Sequence, residues 1–102
     1  MIKIKDISKV FRPREKFLQK GPEALSKSDL LAIVLGSGIK WKNVQELAQQ
    51  IVKKFSDKFL DVTVNDLQTI DGIGLAKALQ IVSAIALVKR YYEEKNGKEI
   101  II

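Results

Sequence analysis

The chain opens on an alternation. In MIKIKDI, the apolar residues Ile2, Ile4 and, after a slip, Ile7 are separated by lysines and an aspartate. A period of two predicts an extended segment over residues 1–11, an arm or edge strand with its lysines outward. From Arg12 the period lengthens. RPREKFLQKGPEALS places Pro13 where a first helical turn tolerates it and Gly21-Pro22 where a helix stops. Phe17 and Leu18 are the expected buried side of that helix, and residues 23–25 the connector after it.

A repeat follows. Ser26-Lys27-Ser28-Asp29 sets an N-cap hydroxyl three residues before a carboxylate, a short-armed capping box, and Thr63-Val64-Asn65-Asp66 does the same 37 residues later. Matching apolar residues stand at the same offset, Leu30 with Leu67 and Ile33 with Ile70. Each short helix then meets a Gly-x-Gly turn, Gly36-Ser37-Gly38 or Gly72-Ile73-Gly74, and a longer amphipathic helix. The apolar face of the first long helix is Val44, Leu47, Ala48, Ile51, Val52 and Phe55. That of the second is Ala78, Ile81, Val82, Ile85 and Val88, with Leu79 beside it. Leu75, Ala76, Leu79, Ala86 and Leu87 widen the second face beyond one stripe. A helix apolar nearly all round is expected to be surrounded, here by the three preceding helices.

Between the copies, SDKFLDV predicts a short helical linker plugging Phe59 and Leu60 into the core. After Asn96-Gly97 the last helix should end, leaving Ile100, Ile101 and Ile102 as an apolar run. Such a run templates strand pairing, so residues 97–102 are expected to start a linker or strand of a further domain. The predicted fold class is all-α. It is a small bundle of about five helices over residues 12–96, containing two helix-hairpin-helix units and preceded by an extended arm.

The paired glycines bear on function. Glycine adopts positive φ without penalty and puts no Cβ between the backbone and a neighbour. The helix starting after Gly74 presents N–H groups at the positive end of its dipole, a setting that suits a backbone phosphate. Gly72, Gly74 and Leu75 are the candidate phosphate-holding amides, with Ile73 expected inward, pinning the turn. The alternative is a tight helix corner whose glycines serve packing alone.

Composition narrows the chemistry. There is no cysteine and no histidine among the 102 residues, so neither a His/Cys metal site nor a Ser-His-Asp or Cys-His pair can be built. The acids are scattered and form no recognisable catalytic pair; neither catalysis nor a cofactor is expected. The longest apolar stretch, residues 78–88, is too short to span a bilayer and is interrupted by Gln80 and Ser83. The lack of cysteine suits a cytoplasmic protein. The net charge of +6 is concentrated at the start, where residues 1–20 hold seven basic side chains against Asp6 and Glu15. Such a skew invites a polyanion partner, though solubility alone can explain it.

IDGIGLAKAL resembles the helix-hairpin-helix motif, hydrophobic-x-Gly-(Ile/Val)-Gly-x-(Lys/Arg)-x-Ala. Ile70, Gly72, Ile73, Gly74 and Ala78 match. Ala76 fills the basic position and Lys77 comes one residue late, about 100° further round the helix. Asp71, just before the turn, repels an anion. RPREK, GPEALS, LLAIVLGSG and IDGIGLAKA occur in that order between about Arg12 and Tyr92, and together they closely resemble the N-terminal region of the bacterial RadC family. The resemblance implies a helical N-terminal domain. In full-length members this is joined to a metallopeptidase-like domain of the JAB/MPN type with a histidine- and aspartate-based metal site. Without histidine, this chain does not contain that site. The family's name ties it to DNA repair.

The expected function is therefore sequence-independent binding of nucleic-acid backbone, single-stranded or branched DNA, on behalf of an attached domain. Gly72, Gly74, Leu75 and Lys77 form one candidate contact, and Gly36, Gly38, Lys40 and Lys42 around Trp41 a second. Trp41 either stacks on a base or covers the hairpin. Burial is the expectation for a lone Trp in a small domain. Arg12 and Arg14 either clamp phosphates or pair with nearby acids. The competing expectation is an adaptor that binds protein, its partner being the JAB/MPN-type domain, with no DNA contact.

Overall fold

The computed structural model describes residues 11–96; the expected arm up to residue 10 and the tail 97–102 lie outside the described residues. Five α-helices account for most of the described chain: α1 (Phe11–Lys20), α2 (Lys27–Leu35), α3 (Val44–Phe55), α4 (Val64–Gln68) and α5 (Leu75–Asn96). No strand occurs among the described residues, only an isolated bridge between Ile39 and Lys42. The fold is all-α, as the periodicity predicts. The chain divides into two compact units, Met1–Phe59 and Leu60–Ile102.

In the first unit, α1 carries Pro13 in its first turn and ends at Gly21, whose φ of +86° suits a residue without Cβ. A 3-10 turn, Pro22–Ala24, then delivers the buried Leu25. The expected buried side of α1 is corrected: Phe17 is 38% and Leu18 83% exposed. Among the described side chains of α1, Pro13 is the buried one, and Phe17 stands one turn beyond it on the same side. Leu18 is rotated about 100° from Phe17, so a helix resting on its Pro13 side cannot cover it. Capping box Ser26–Asp29 starts α2 as predicted, with Asp29 N–H donating to Ser26 Oγ at 3.1 Å and Ser26 N–H to Asp29 Oδ2 at 3.3 Å.

Helix α2 packs on α3. Leu31, Ala32 and Leu35 meet Val44, Leu47, Ala48 and Ile51 in the core, so the first four positions of the face predicted for α3 are buried, while Val52 and Phe55 are half-buried. Full burial of each large aliphatic there stabilises by about 1.5–3 kcal/mol. Leu30 and Ile33, matched by offset to Leu67 and Ile70, are only half-buried, whereas their counterparts are fully covered. Equal offset from the cap thus does not give equal burial, and Ile70 lies beyond the end of α4 whereas Ile33 is inside α2.

In the second unit, the Thr63–Asp66 capping box opens α4, with bonds of 3.0 and 2.9 Å. Val62, Leu67, Ile70, Ile73, Ala78 and Ile81 are its buried residues, and α4 packs on α5. The linker is helical as expected, a 3-10 segment Ser56–Asp61, but its plug is corrected: Leu60 is 59% exposed and Val62 buried instead. The expectation of a surrounded last helix is corrected too. Only Ala78 and Ile81 of α5 are buried, and every residue over 86–96 is exposed. Five residues of α4 span about 7.5 Å against about 33 Å for the 22 of α5, so α4 cannot sheathe it.

Candidate nucleic-acid interface

The second hairpin is built from short-range bonds. Thr69 N–H and Ile70 N–H donate to Asp66 O and Leu67 O, and Ile73 N–H donates to Ile70 O at 3.1 Å. Gly72, at φ +93°, makes the reversal that a side chain would oppose. Ile73 is 5% exposed and pins the turn inward, as its position between the glycines predicts. Gly74 caps α5, accepting from Ala78 N–H at 3.2 Å.

Neither backbone conformation nor packing requires a glycine at 74, although glycine suits the N-cap place it holds. It does not sit at positive φ, and a Cβ built on it meets no atom within 4 Å. Its bare backbone faces open space at the start of a 22-residue helix with no acid in its first turn. Leu75 beside it is 57% exposed, Lys77 half-buried and Asp71 exposed. Gly72, Gly74, Leu75 and Lys77 thus lie together on one hairpin.

The first hairpin uses its glycines differently. Gly36 ends α2 at φ +76°, its N–H donating to Ala32 O at 3.0 Å. At Gly38 a Cβ would stand 2.3 Å from Lys42 O, 2.6 Å from Asn43 C and 2.7 Å from Val44 N, so the chain's own backbone fills the space. After Gly38 runs a two-residue turn, closed by Ile39 N–H to Lys42 O at 2.9 Å and Lys42 N–H to Ile39 O at 3.2 Å. Helix α3 begins only at Val44.

Lys40 and Trp41 form the tip of that turn. The expected burial of Trp41 is corrected: it is 60% exposed, because a side chain at the tip of a two-residue turn has no surface beneath it. Lys40 is exposed as well, whereas Lys42 Nζ donates to Gln50 Oε1 on α3. Arg12 and Arg14 are exposed on α1, and Arg12 lines a shallow polar cleft with Asn43, Gln45, Glu46 and Gln49.

Two features here went unread in the sequence. Asn43-Val44-Gln45-Glu46 is a third capping box, closed by Glu46 N–H to Asn43 Oδ1 at 2.9 Å and Asn43 N–H to Glu46 Oε1 at 3.2 Å. Its Asn-x-x-Glu spacing was a legible signal. The other, Gln45 Nε2 donating to Asp29 Oδ1 at 2.9 Å, joins α3 to the start of α2 and had no local signal. That bond is the main cause holding the Asp29 carboxyl below the usual carboxylate range. Partial burial opposes it, while Ser26 and the charge of Lys16 add to it.

Among the described residues no three His, Cys, Asp or Glu side chains gather to hold a metal ion, and no helix is long and apolar enough to cross a membrane.

Residues 4–79 match the family model described as UPF0758 N-terminal. A UPF0758 protein of Chlorobium chlorochromatii is 43% identical over 96 residues, which cover 93% of this chain and 43% of that protein. Its counterpart in Geobacillus thermodenitrificans is 41% identical over 101 residues, 97% and 45% respectively. One from Clostridium botulinum is 39% identical over 99 residues, 95% and 43%. The chain spans less than half the length of the curated relatives it matches. No solved structure matches it.

Proposed function

The chain belongs to the UPF0758 family, the RadC-like family that its motifs resemble, and on that premise we propose that it binds nucleic-acid backbone without reading sequence, through the Gly72–Leu75 hairpin. One observation carries this: Gly74 is a glycine that neither φ nor packing requires, placed where a phosphate could approach the start of α5. Amides at a helix start favour an anion through unpaired N–H groups and the helix dipole, and such contacts carry no base information. Lys40 and the exposed Trp41 support a second contact in the first unit, since an indole beside an ammonium suits an unpaired base. Single-stranded or branched DNA is the preferred class. No catalysis is assigned to these residues; metallopeptidase-like chemistry would belong to the remainder of a family-length chain.

The exposed length of α5 favours a second reading, an adaptor that contacts protein. Fluorescence anisotropy separates the two. Labelled single-stranded, duplex and forked DNA are titrated with the chain at about 50 and 200 mM salt. Neutralising three to five phosphates should weaken binding ~20- to ~130-fold on single strands, and ~40- to ~500-fold on duplex, between those salts. Gly74→Glu should abolish binding while circular dichroism stays unchanged, and Lys40→Glu should weaken it. No binding at the lower salt overturns the proposal and leaves the adaptor. Binding that survives Gly74→Glu moves the site away from the second hairpin.

A further inference from the structure

The two units divide the chain's charge unequally. Met1–Phe59 carries 13 basic side chains against 6 acidic ones, and Leu60–Ile102 carries 5 against 6. On α1 the excess is ordered. Arg12, Lys16 and Lys20 recur every four residues and so form one stripe, with about 6 Å along the axis between neighbours and about 12 Å from end to end. All three are exposed and make no ion pair among the described residues, not even Arg12 with Glu15 one turn on. Two acids near the stripe are engaged in caps. Asp29, which feels the charge of Lys16, accepts from Ser26 and Gln45, and Glu46, which shares the polar cleft with Arg12, accepts from Asn43 N–H.

The Lys40–Trp41 tip adjoins this surface. Asn43 lines the cleft with Arg12 and follows Trp41 by two residues. The turn is held firmly: two backbone bonds close it, its own backbone fills the space at Gly38, and Lys42 is tied to Gln50. Trp41 is therefore presented on fixed backbone, with only its two side-chain torsions to settle on binding. Cations that follow a backbone beside an aromatic ring that takes a base are what holds a single strand. In a duplex the faces of the bases are covered by their neighbours, so the ring finds nothing to lie on, whereas the phosphates stay within reach.

We infer that the first unit selects unpaired over paired DNA, with the sugar-phosphate backbone along Arg12, Lys16 and Lys20 and one base stacked on Trp41. This rests on the nucleic-acid reading above and adds the residue that discriminates. The Gly72–Leu75 hairpin holds phosphate whether or not the strand is paired.

The full chain is titrated at about 50 mM salt with oligothymidylate, an abasic oligomer and a duplex of equal length. Anisotropy gives the affinities, and the fluorescence of Trp41, the single tryptophan, reports stacking. Oligothymidylate should bind most tightly and quench Trp41, and the other two should bind without quenching. Trp41→Ala should weaken oligothymidylate about 5- to 150-fold and leave the other two nearly unchanged, and Trp41→Phe should recover most of the loss. Arg12→Gln/Lys16→Gln should lower the salt slope on oligothymidylate by about 1.4. Circular dichroism checks that each variant stays folded. Equal binding of oligothymidylate and the abasic oligomer, an unquenched Trp41, a Trp41→Ala loss shared by all three, or an unchanged slope overturns the inference and leaves the hairpin reading standing. Binding to none of the three overturns both.

Discussion

Gly38 and Gly74 close two corresponding turns, yet adding one methyl group to each should have opposite consequences. At Gly38 the new Cβ would lie 2.3 Å from the Lys42 carbonyl oxygen and within 2.7 Å of two more backbone atoms. That is about 1 Å short of ordinary contact, and none of these atoms can rotate aside. Either the Ile39–Lys42 turn or the start of α3 must move. Overpacking of this kind costs about 1–3 kcal/mol, and loosening either of the two turn bonds adds about 1 kcal/mol. Gly38→Ala should therefore lose roughly 2 kcal/mol or more, a fall in Tm of about 8–16 °C for a domain of this size. At Gly74 the methyl meets nothing. Alanine is a poorer N-cap than glycine by about 0.5 kcal/mol, but it restricts the unfolded chain by about 0.4–1 kcal/mol in favour of folding. Gly74→Ala should stay within about 0.5 kcal/mol of the parent. Thermal and urea unfolding followed by far-ultraviolet circular dichroism measure both. If Gly38→Ala unfolds with the parent, or Gly74→Ala loses more than Gly38→Ala, the assignment of one glycine to packing and the other to an open surface is wrong. The same Gly74→Ala protein should bind DNA several-fold more weakly at about 50 mM salt, since its methyl stands where a phosphate would approach.

The single tryptophan reports its own setting: Trp41 should emit at the red-shifted wavelength of a water-exposed indole and be readily quenched by acrylamide, and a blue-shifted, shielded spectrum would refute its place at the turn tip. Thr63→Ala and Asn43→Ala should each cost about 1 kcal/mol in urea unfolding through loss of their caps. Leu47→Ala should cost about 2–5 kcal/mol in the same experiment, while Leu18→Ala stays within about 0.5 kcal/mol. Asp29 has a depressed carboxyl pKa, so the stability it contributes is present above the ordinary carboxylate pKa near ~3.9 and is lost as pH falls through its own lower value. Gln45→Met removes the leading cause and should raise that pKa; a carboxyl titration by NMR that leaves Asp29 unmoved would contradict the assignment.

How much was legible in the sequence divides along a physical line. Capping boxes at Ser26 and Thr63, the stop at Gly21, the inward Ile73 and the buried stripe of α3 all depend on residues within a turn or two of one another. Periodicity and cap spacing report those directly. The third box at Asn43 carried the same local signal and was readable on the same terms. Burial and partnership across space were not readable. Leu18, Leu60 and Trp41 are as apolar as residues that are buried, and only the backbone path shows that nothing lies over them. The contacts of Asp29 with Gln45 and of Lys42 with Gln50 join residues 16 and 8 positions apart, with no local signature.

The sequence by itself determined an all-α chain, no histidine or cysteine chemistry, and membership of a recognisable family. Those follow from composition, from short-range periodicity and from motif order. Only the tertiary structure decided that Gly38 is filled by its own backbone while Gly74 faces open space. It also decided that α5 is buried in its first turns along one stripe only, at Ala78 and Ile81, and is bare over residues 86–96. Hydrophobicity states what a side chain would gain from burial, whereas coverage depends on the length and placement of the neighbouring element, and a five-residue helix cannot cover one of 22 residues.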